Sequence, residues 1–152
     1  MLGRFSGKTV SMAEENLDPI TVLTEEECWS LLDGAEPGRI AFSAGGIIDI
    51  VPVNYVRDGH SVLFRTAQGN KLLGLTANPH VAFETDARTG DEAWSVVIRG
   101  DARAFEGQAD IARAESLGLA PWAPTLKFTF VRITPSEISG RRLTIGPEPE
   151  RY

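Results

Sequence analysis

At 152 residues, 42% hydrophobic and 24% charged, the chain has the length and composition of one globular domain, able to bury roughly 70% of its unfolded surface without a disulfide or structural metal. Its formal net charge of -6 repels phosphate backbones and argues against general nucleic-acid binding, although one local basic pocket can still hold a single phosphate. Cys28 is the single cysteine, no apolar run approaches the ~20 residues of a membrane helix, and the N-terminus lacks a secretory pattern, so the expectation is a cytoplasmic protein with no intramolecular disulfide and no membrane partner.

Residues 1–18 carry neither helical nor strand periodicity and read as a flexible tail. The Pro- and Glu-rich residues 147–152 read as a frayed end, which leaves a domain over 19–146. Thr24-Glu25-Glu26-Glu27 is a capping box, Cys28, Leu31 and Leu32 recur at helical spacing, and Gly34 is a stop, so a helix is predicted over 25–33. Arg39 to Ser43 and Ile47 to Val56 read as strands joined by Ala44-Gly45-Gly46. Asp58-Gly59 reads as a two-residue turn into a third strand, Ser61 to Thr66. Gly69-Asn70 opens a predicted helix over 71–77 that Asn78-Pro79 ends. Val81, Phe83 and Thr85 alternate as in a strand. A turn-like stretch, Asp86 to Asp91, precedes a long strand from Ala93 to Phe105, in which Gly100 marks a bend or bulge. Ala109 to Leu117 reads as helix, Lys127 to Thr134 as a last strand and Glu137 to Leu143 as a short edge. Many short strands with few helices predict a mainly β protein, either a closed antiparallel barrel or a sandwich.

The stretch Phe64-Arg65-Thr66-Ala67-Gln68-Gly69-Asn70-Lys71 carries the most chemistry. A strand ends in Arg and Thr, a glycine turn follows, and a helix starts beside a Lys. Helix N-termini offer unpaired N–H groups to phosphate, Arg65 a forked pair of charge-assisted bonds, Lys71 a point charge and Thr66 a hydroxyl. A solvated strand end with surface charges explains the same residues equally well on spacing alone. Pro52-Val53-Asn54-Tyr55 is the second stretch: Pro52 has no N–H, so it must occupy a bulge or an unpaired ladder position, which leaves neighbouring backbone groups open to a ligand. An ordinary edge strand accounts for it too. Trp94 could stack on a planar ring and Ser95 could bond a phosphate or heteroatom, although packing is the commoner use of a strand tryptophan. Trp122 stands in a rigid Pro-flanked loop. His60 and His80 lie apart and, with one cysteine, make no zinc motif. Neither a P-loop nor a nucleophile elbow is present.

Taken in order, these pieces resemble the pyridoxamine 5'-phosphate oxidase-like family of flavin-binding proteins. The matching segments are the capped helix before Gly38-Arg39-Ile40-Ala41, Pro52-Val53-Asn54-Tyr55, the Asp58-Gly59 turn, Phe64-Arg65-Thr66 with Gly69-Asn70-Lys71-Leu72, Asn78-Pro79-His80-Val81 and Trp94 to Ala102. The resemblance covers about residues 20–143. It implies a six-stranded antiparallel split β-barrel with a few short helices, forming a homodimer with two FMN sites at the subunit interface. It implies that Arg65, Thr66 and Lys71, with Phe64 beside them, hold the cofactor phosphate, that Pro52, Val53, Asn54 and Tyr55 lie along the ring, and that Trp94 and Ser95 complete the site, from the partner chain. It implies an oxidoreductase acting on a small molecule, with hydride chemistry supplied by the flavin and no catalytic side chain required. One departure is visible: the family's oxidase carries a C-terminal Arg-x-His element, whereas Gly140-Arg141-Arg142-Leu143 has no such histidine, which argues against oxidation of pyridoxamine phosphate. A deazaflavin coenzyme, a non-enzymatic flavin or heme carrier, and a barrel without cofactor are the alternatives the sequence leaves open.

Overall fold

The computed structural model describes residues 19–34, 37–67, 78–119 and 128–150. A short strand β1 (Ile20–Val22) leads into helix α1 (Glu25–Leu31), which starts as its capping box dictates. The Glu27 N–H donates to Thr24 Oγ1 at 3.2 Å and the Thr24 N–H donates to Glu27 Oε1 at 2.8 Å. Two N-terminal donors are thereby satisfied. Cys28 and Trp29 form the buried face of α1.

The remaining strands are β2 (Gly38–Ala44), β3 (Ile47–Val53), β4 (Tyr55–Asp58), β5 (Ser61–Ala67), β6 (His80–Thr89), β7 (Glu92–Phe105) and β8 (Phe128–Thr144), with helix α2 (Gln108–Ser116) between the last two. They form one sheet in the order β3-β2-β6-β7-β8-β5-β4, and β1 adds to β8. Every ladder is antiparallel. The topology itself forces closure. β3 and β4 occupy opposite ends of the sheet, yet Asn54 alone separates them in the chain. The sheet must therefore curl until its two edges meet, and the covalent chain holds the seam while β3 pairs with β2 and β4 with β5. A barrel closed in this way is a split barrel, and closure protects strand edges that would otherwise face solvent.

The interior is filled by alternate residues of each strand. Ile40, Val62, Phe64, Phe83, Val96, Ile98 and Ile133 are fully buried and join Phe42, Val53 and Tyr55 in the main core. Leu63, Ala114, Leu119 and Phe130 make a second, smaller core between β5, β8 and α2. Tyr55 is buried, sits edge-on to Phe83 and donates its hydroxyl to the Leu32 carbonyl at 3.1 Å. A net hydrogen bond of this kind contributes about 1 kcal/mol. Tyr55→Phe is therefore expected to lower the unfolding free energy by about that amount, read as a shifted urea midpoint at constant m-value.

Several sequence expectations are revised. Among the described residues, eight strands are present rather than six. Three-residue β1 is too short to show a period, and the predicted strand over 47–56 breaks at Asn54 where the chain changes partners. The turn-like stretch 86–91 is mostly strand: β6 runs to Thr89 and only Gly90-Asp91 turn. This hairpin arm is largely exposed, so no hydrophobic alternation announced it. The second turn is Gly59-His60, one residue later than predicted, because Asp58 pairs with Ser61. Ala44 pairs with Ile47, and Gly45 and Gly46 have φ of 60° and 81°, as a type I′ turn requires. The two strands read over 127–134 and 137–143 are one strand, and its last residues lie between β7 and β1 rather than at an edge. The irregularity that Pro135 and Gly100 signal is a bulge. Gly100 faces Pro135 and Arg99 faces Glu137, leaving Ser136 as the extra residue, its hydroxyl donating to the Arg99 carbonyl at 3.1 Å. A Cβ on Gly100 would strike the Thr134 carbonyl oxygen and the Pro135 backbone, so glycine is required there. The predicted helix over 71–77 and Trp122 lie outside the described residues.

Candidate functional site

Strand β5 presents its residues alternately. Val62 and Phe64 enter the main core, while Leu63 enters the second core beneath α2. Arg65 follows Leu63 on that outer side, and Thr66 follows Phe64 on the inner side. The Arg65 guanidinium carbon lies 5.2 Å from the centre of the Phe130 ring, a cation–π geometry. Burial pushes the Arg65 pKa downward, with Glu115 on α2 acting in the opposite direction. A guanidinium that has lost part of its hydration is stabilised by an anion docking beside it. Thr66 is buried and faces Thr129 across the ladder. Its side chain and that of Arg65 leave opposite faces of β5, so a shared phosphate would have to lie over the end of the strand or meet the Thr66 backbone. Phe64 is fully buried and contributes packing. Lys71 lies outside the described residues.

In the second stretch, the β2–β3 ladder runs through Pro52 without a bulge, with Pro52 opposite Arg39. The missing N–H is tolerated because β3 ends the sheet order and needs a partner on one side only. Val53 and Tyr55 point into the core, which leaves their backbone groups for any ligand. Asn54 is half-buried at the barrel seam, and Pro52 is exposed.

Trp94 packs against the main core from its margin. Ser95 opens onto a groove of about 410 Å³ lined by Val22, Val97, Arg99, Ser139 and Arg141. These are the outward residues of paired strands: Ser95 faces Arg141 and Val97 faces Ser139. The alternation of β7 could have placed Arg99 beside Ser95. Arg141 and Ser139 depend on the β7–β8 register, and Val22 on the β1–β8 ladder, neither of which the sequence displays.

The structure thus does not bring the two halves of the predicted site together within one chain. Arg65 pairs with Phe130 and Ser95 with Arg141, near opposite ends of β8. That separation is roughly 35 Å along the strand at ~3.3 Å per residue.

A charged cluster missed by the sequence reading borders the second core. Asp58 Oδ1 accepts from Arg113 Nε at 3.0 Å and Nη2 at 2.8 Å, and Oδ2 accepts from Arg132 Nη1 at 3.2 Å. Arg132 Nη1 also donates to Ser61 Oγ at 2.6 Å. The forked bond from Arg113 is the main reason the Asp58 carboxyl is held below the ordinary carboxylate range. A carboxyl whose pKa is depressed on folding adds stability above its unfolded value of ~3.9, and this is lost as pH falls through the lower folded value. The melting temperature of the parent is therefore expected to drop more steeply below about pH 4 than that of Asp58→Asn. Parallel curves from pH 7 to 2 would assign the acid sensitivity to other groups.

Among the described residues, no cluster of His, Cys, Asp and Glu could hold a metal ion, and no helix is long and apolar enough to cross a membrane. The family model described as Pyridoxamine 5'-phosphate oxidase matches residues 24–142. The chain belongs to the pyridoxamine 5'-phosphate oxidase family. Its relatives include the uncharacterised Mycobacterium tuberculosis protein Rv3129, 45% identical over 93 residues, which are 61% of this chain and 84% of that protein. Rv0080 of the same organism is 31% identical over 134 residues, 82% of this chain and 86% of that one. Among solved structures, an FAD-binding protein from Mycobacterium smegmatis is 40% identical, with a TM-score of 0.73, covering 83% of this chain and all of its own. A candidate pyridoxamine 5'-phosphate oxidase from Corynebacterium glutamicum is 38% identical, with a TM-score of 0.75, covering 86% and 98%. Family and split-barrel fold are as the ordered motifs imply. Arg141 lines the β7–β8 groove, and Arg142 and Leu143 follow it in the chain.

Proposed function

We propose that this member of the pyridoxamine 5'-phosphate oxidase family binds a flavin nucleotide and uses it as an oxidoreductase on a small-molecule substrate. The observation that carries the reading is Arg65, half-buried at the end of a barrel strand and braced on Phe130. A partly desolvated, preorganised guanidinium suits a phosphate group. The M. smegmatis relative, an FAD-binding protein, supports a flavin and makes FAD, beside FMN, a nucleotide to test. In this reading Arg65 and the end of β5 hold the phosphate, joined by Lys71 from the following segment, and the backbone at Pro52 to Tyr55 faces the ring. The bound flavin would supply the hydride chemistry, and the barrel would position it and exclude water.

The same proposal includes a homodimer. Trp94, Ser95 and their groove lie too far from Arg65 to share one mononucleotide within a chain, so a second copy would have to supply them. The exposed apolar edge of β3, with Ile48 at 80% and Ile50 at 61% exposure, is a surface whose burial between copies would be favourable. The test is the visible spectrum of freshly purified protein, the mass of the nucleotide released on denaturation, and sedimentation of the same sample. Flavin absorbance, a mass of FMN or FAD, and a dimer are expected. A deazaflavin mass would replace the cofactor. Colourless protein that takes up neither FMN nor FAD would remove the flavin reading, and a monomer at all concentrations would remove the shared site.

A further inference from the structure

The second core is bordered by the Asp58–Arg113–Arg132 ion cluster, whose members are not among the predicted site residues. Helix α2 has nine residues, its N-cap Gly107 makes no side-chain cap bond, and Ala114 is its one fully buried side chain. So short and weakly capped a helix is not stable by itself. It is fastened by the forked bond from Arg113 to Asp58. The Asp58 side chain is only 11% exposed, so its charge depends on both arginines that reach it. Arg132, the second, lies 5.7 Å from the centre of the Phe105 ring, and Phe105 is 5.7 Å from Phe130, the ring under Arg65. Ala114 and Leu119 close the other side of the same core.

We propose that Arg113 is a positioning residue for the phosphate site: by clamping α2 to Asp58 it fixes the Phe130 ring, and through that ring the Arg65 guanidinium. This rests on the reading that Arg65 holds the cofactor phosphate. Its physical basis is preorganisation. A free arginine side chain must give up most of its rotamer freedom to bind an anion, and a side chain already laid on a rigid ring gives up less. Loosening α2 would restore the freedom of Phe130, and hence of Arg65, without removing any atom that touches the ligand.

FMN titrated into cofactor-free full-length protein, followed by quenching of its fluorescence, tests this. Arg113→Met, which keeps the apolar stem, is expected to weaken binding about threefold to tenfold. Arg113→Lys is expected to recover part of the loss. In an Arg65→Ala background, Arg113→Met is expected to cost nothing further, because the group it positions is gone. A merely structural loosening would cost the same in both backgrounds, and that result would overturn the proposal. So would an Arg113→Met variant that binds like the parent while Arg65→Ala is weakened. If Arg65→Ala itself binds FMN like the parent, the phosphate reading fails and this role falls with it. Should Arg113→Met yield no folded protein, Arg113→Lys carries the test, with a loss of about twofold to threefold that disappears in the Arg65→Ala background.

Discussion

Arg65→Ala is expected to weaken flavin binding about tenfold to a hundredfold, the equivalent of the ~1.5–3 kcal/mol that a hydrogen bond to a charged group contributes. The effect belongs at the upper end for an exposed ion pair because Arg65 is half-buried and lies against Phe130. Its field is screened less by salt than that of a fully solvated side chain. Arg65→Lys is expected to fall between parent and alanine variant, since an ammonium keeps the charge but loses the planar fork and the stacking on the ring. The measurement is a fluorescence titration of FMN and FAD at two salt concentrations, with a thermal melt of each variant to separate binding from stability. An unchanged dissociation constant would place the phosphate elsewhere on the barrel.

The elements legible in the sequence are those whose signal is local. The Thr24 capping box, the Gly45-Gly46 turn and the alternation of Val81, Phe83 and Thr85 along β6 each depend on neighbours within a few residues, and each appears where predicted. Features set by pairing at a distance were hidden. The break at Asn54 exists because β3 and β4 have different partners, and β1 exists because β8 offers it an edge. Continuity of β8 through Pro135 depends on the bulge opposite Gly100. The same division runs through the site. Arg65 stands out in the sequence by residue type and position at a strand end. Its brace, Phe130, comes from a strand far along the chain. In the sequence Asp58 reads only as a turn residue, because its partners Arg113 and Arg132 lie 55 and 74 positions away. That Arg65 and Thr66 diverge follows from the two-residue period of a strand, once both are placed on one.

The largest effect on stability is expected at Phe83. Its ring is fully buried, meets Tyr55 edge-on at 4.9 Å between centroids, and stands between Ile40 and Ile98 across two ladders. Phe83→Ala is expected to cost 3–5 kcal/mol, the lost transfer energy plus the cavity left behind, out of a total of about 5–15 kcal/mol for a domain. Urea denaturation should show the loss as a lower midpoint with an unchanged m-value. One neighbour makes the test specific. Gly38 packs so closely that a Cβ there would run into the Phe83 ring. Gly38→Ala alone is therefore expected to destabilise by about 1–3 kcal/mol through overpacking. In the Phe83→Ala background the added methyl no longer strikes the ring and meets only the Glu84 carbonyl oxygen, at 3.3 Å, so the two losses should not add. A double-mutant cycle measures that difference directly. Strict additivity would mean that the ring does not fill the space above Gly38, and that the barrel interior is packed in some other way.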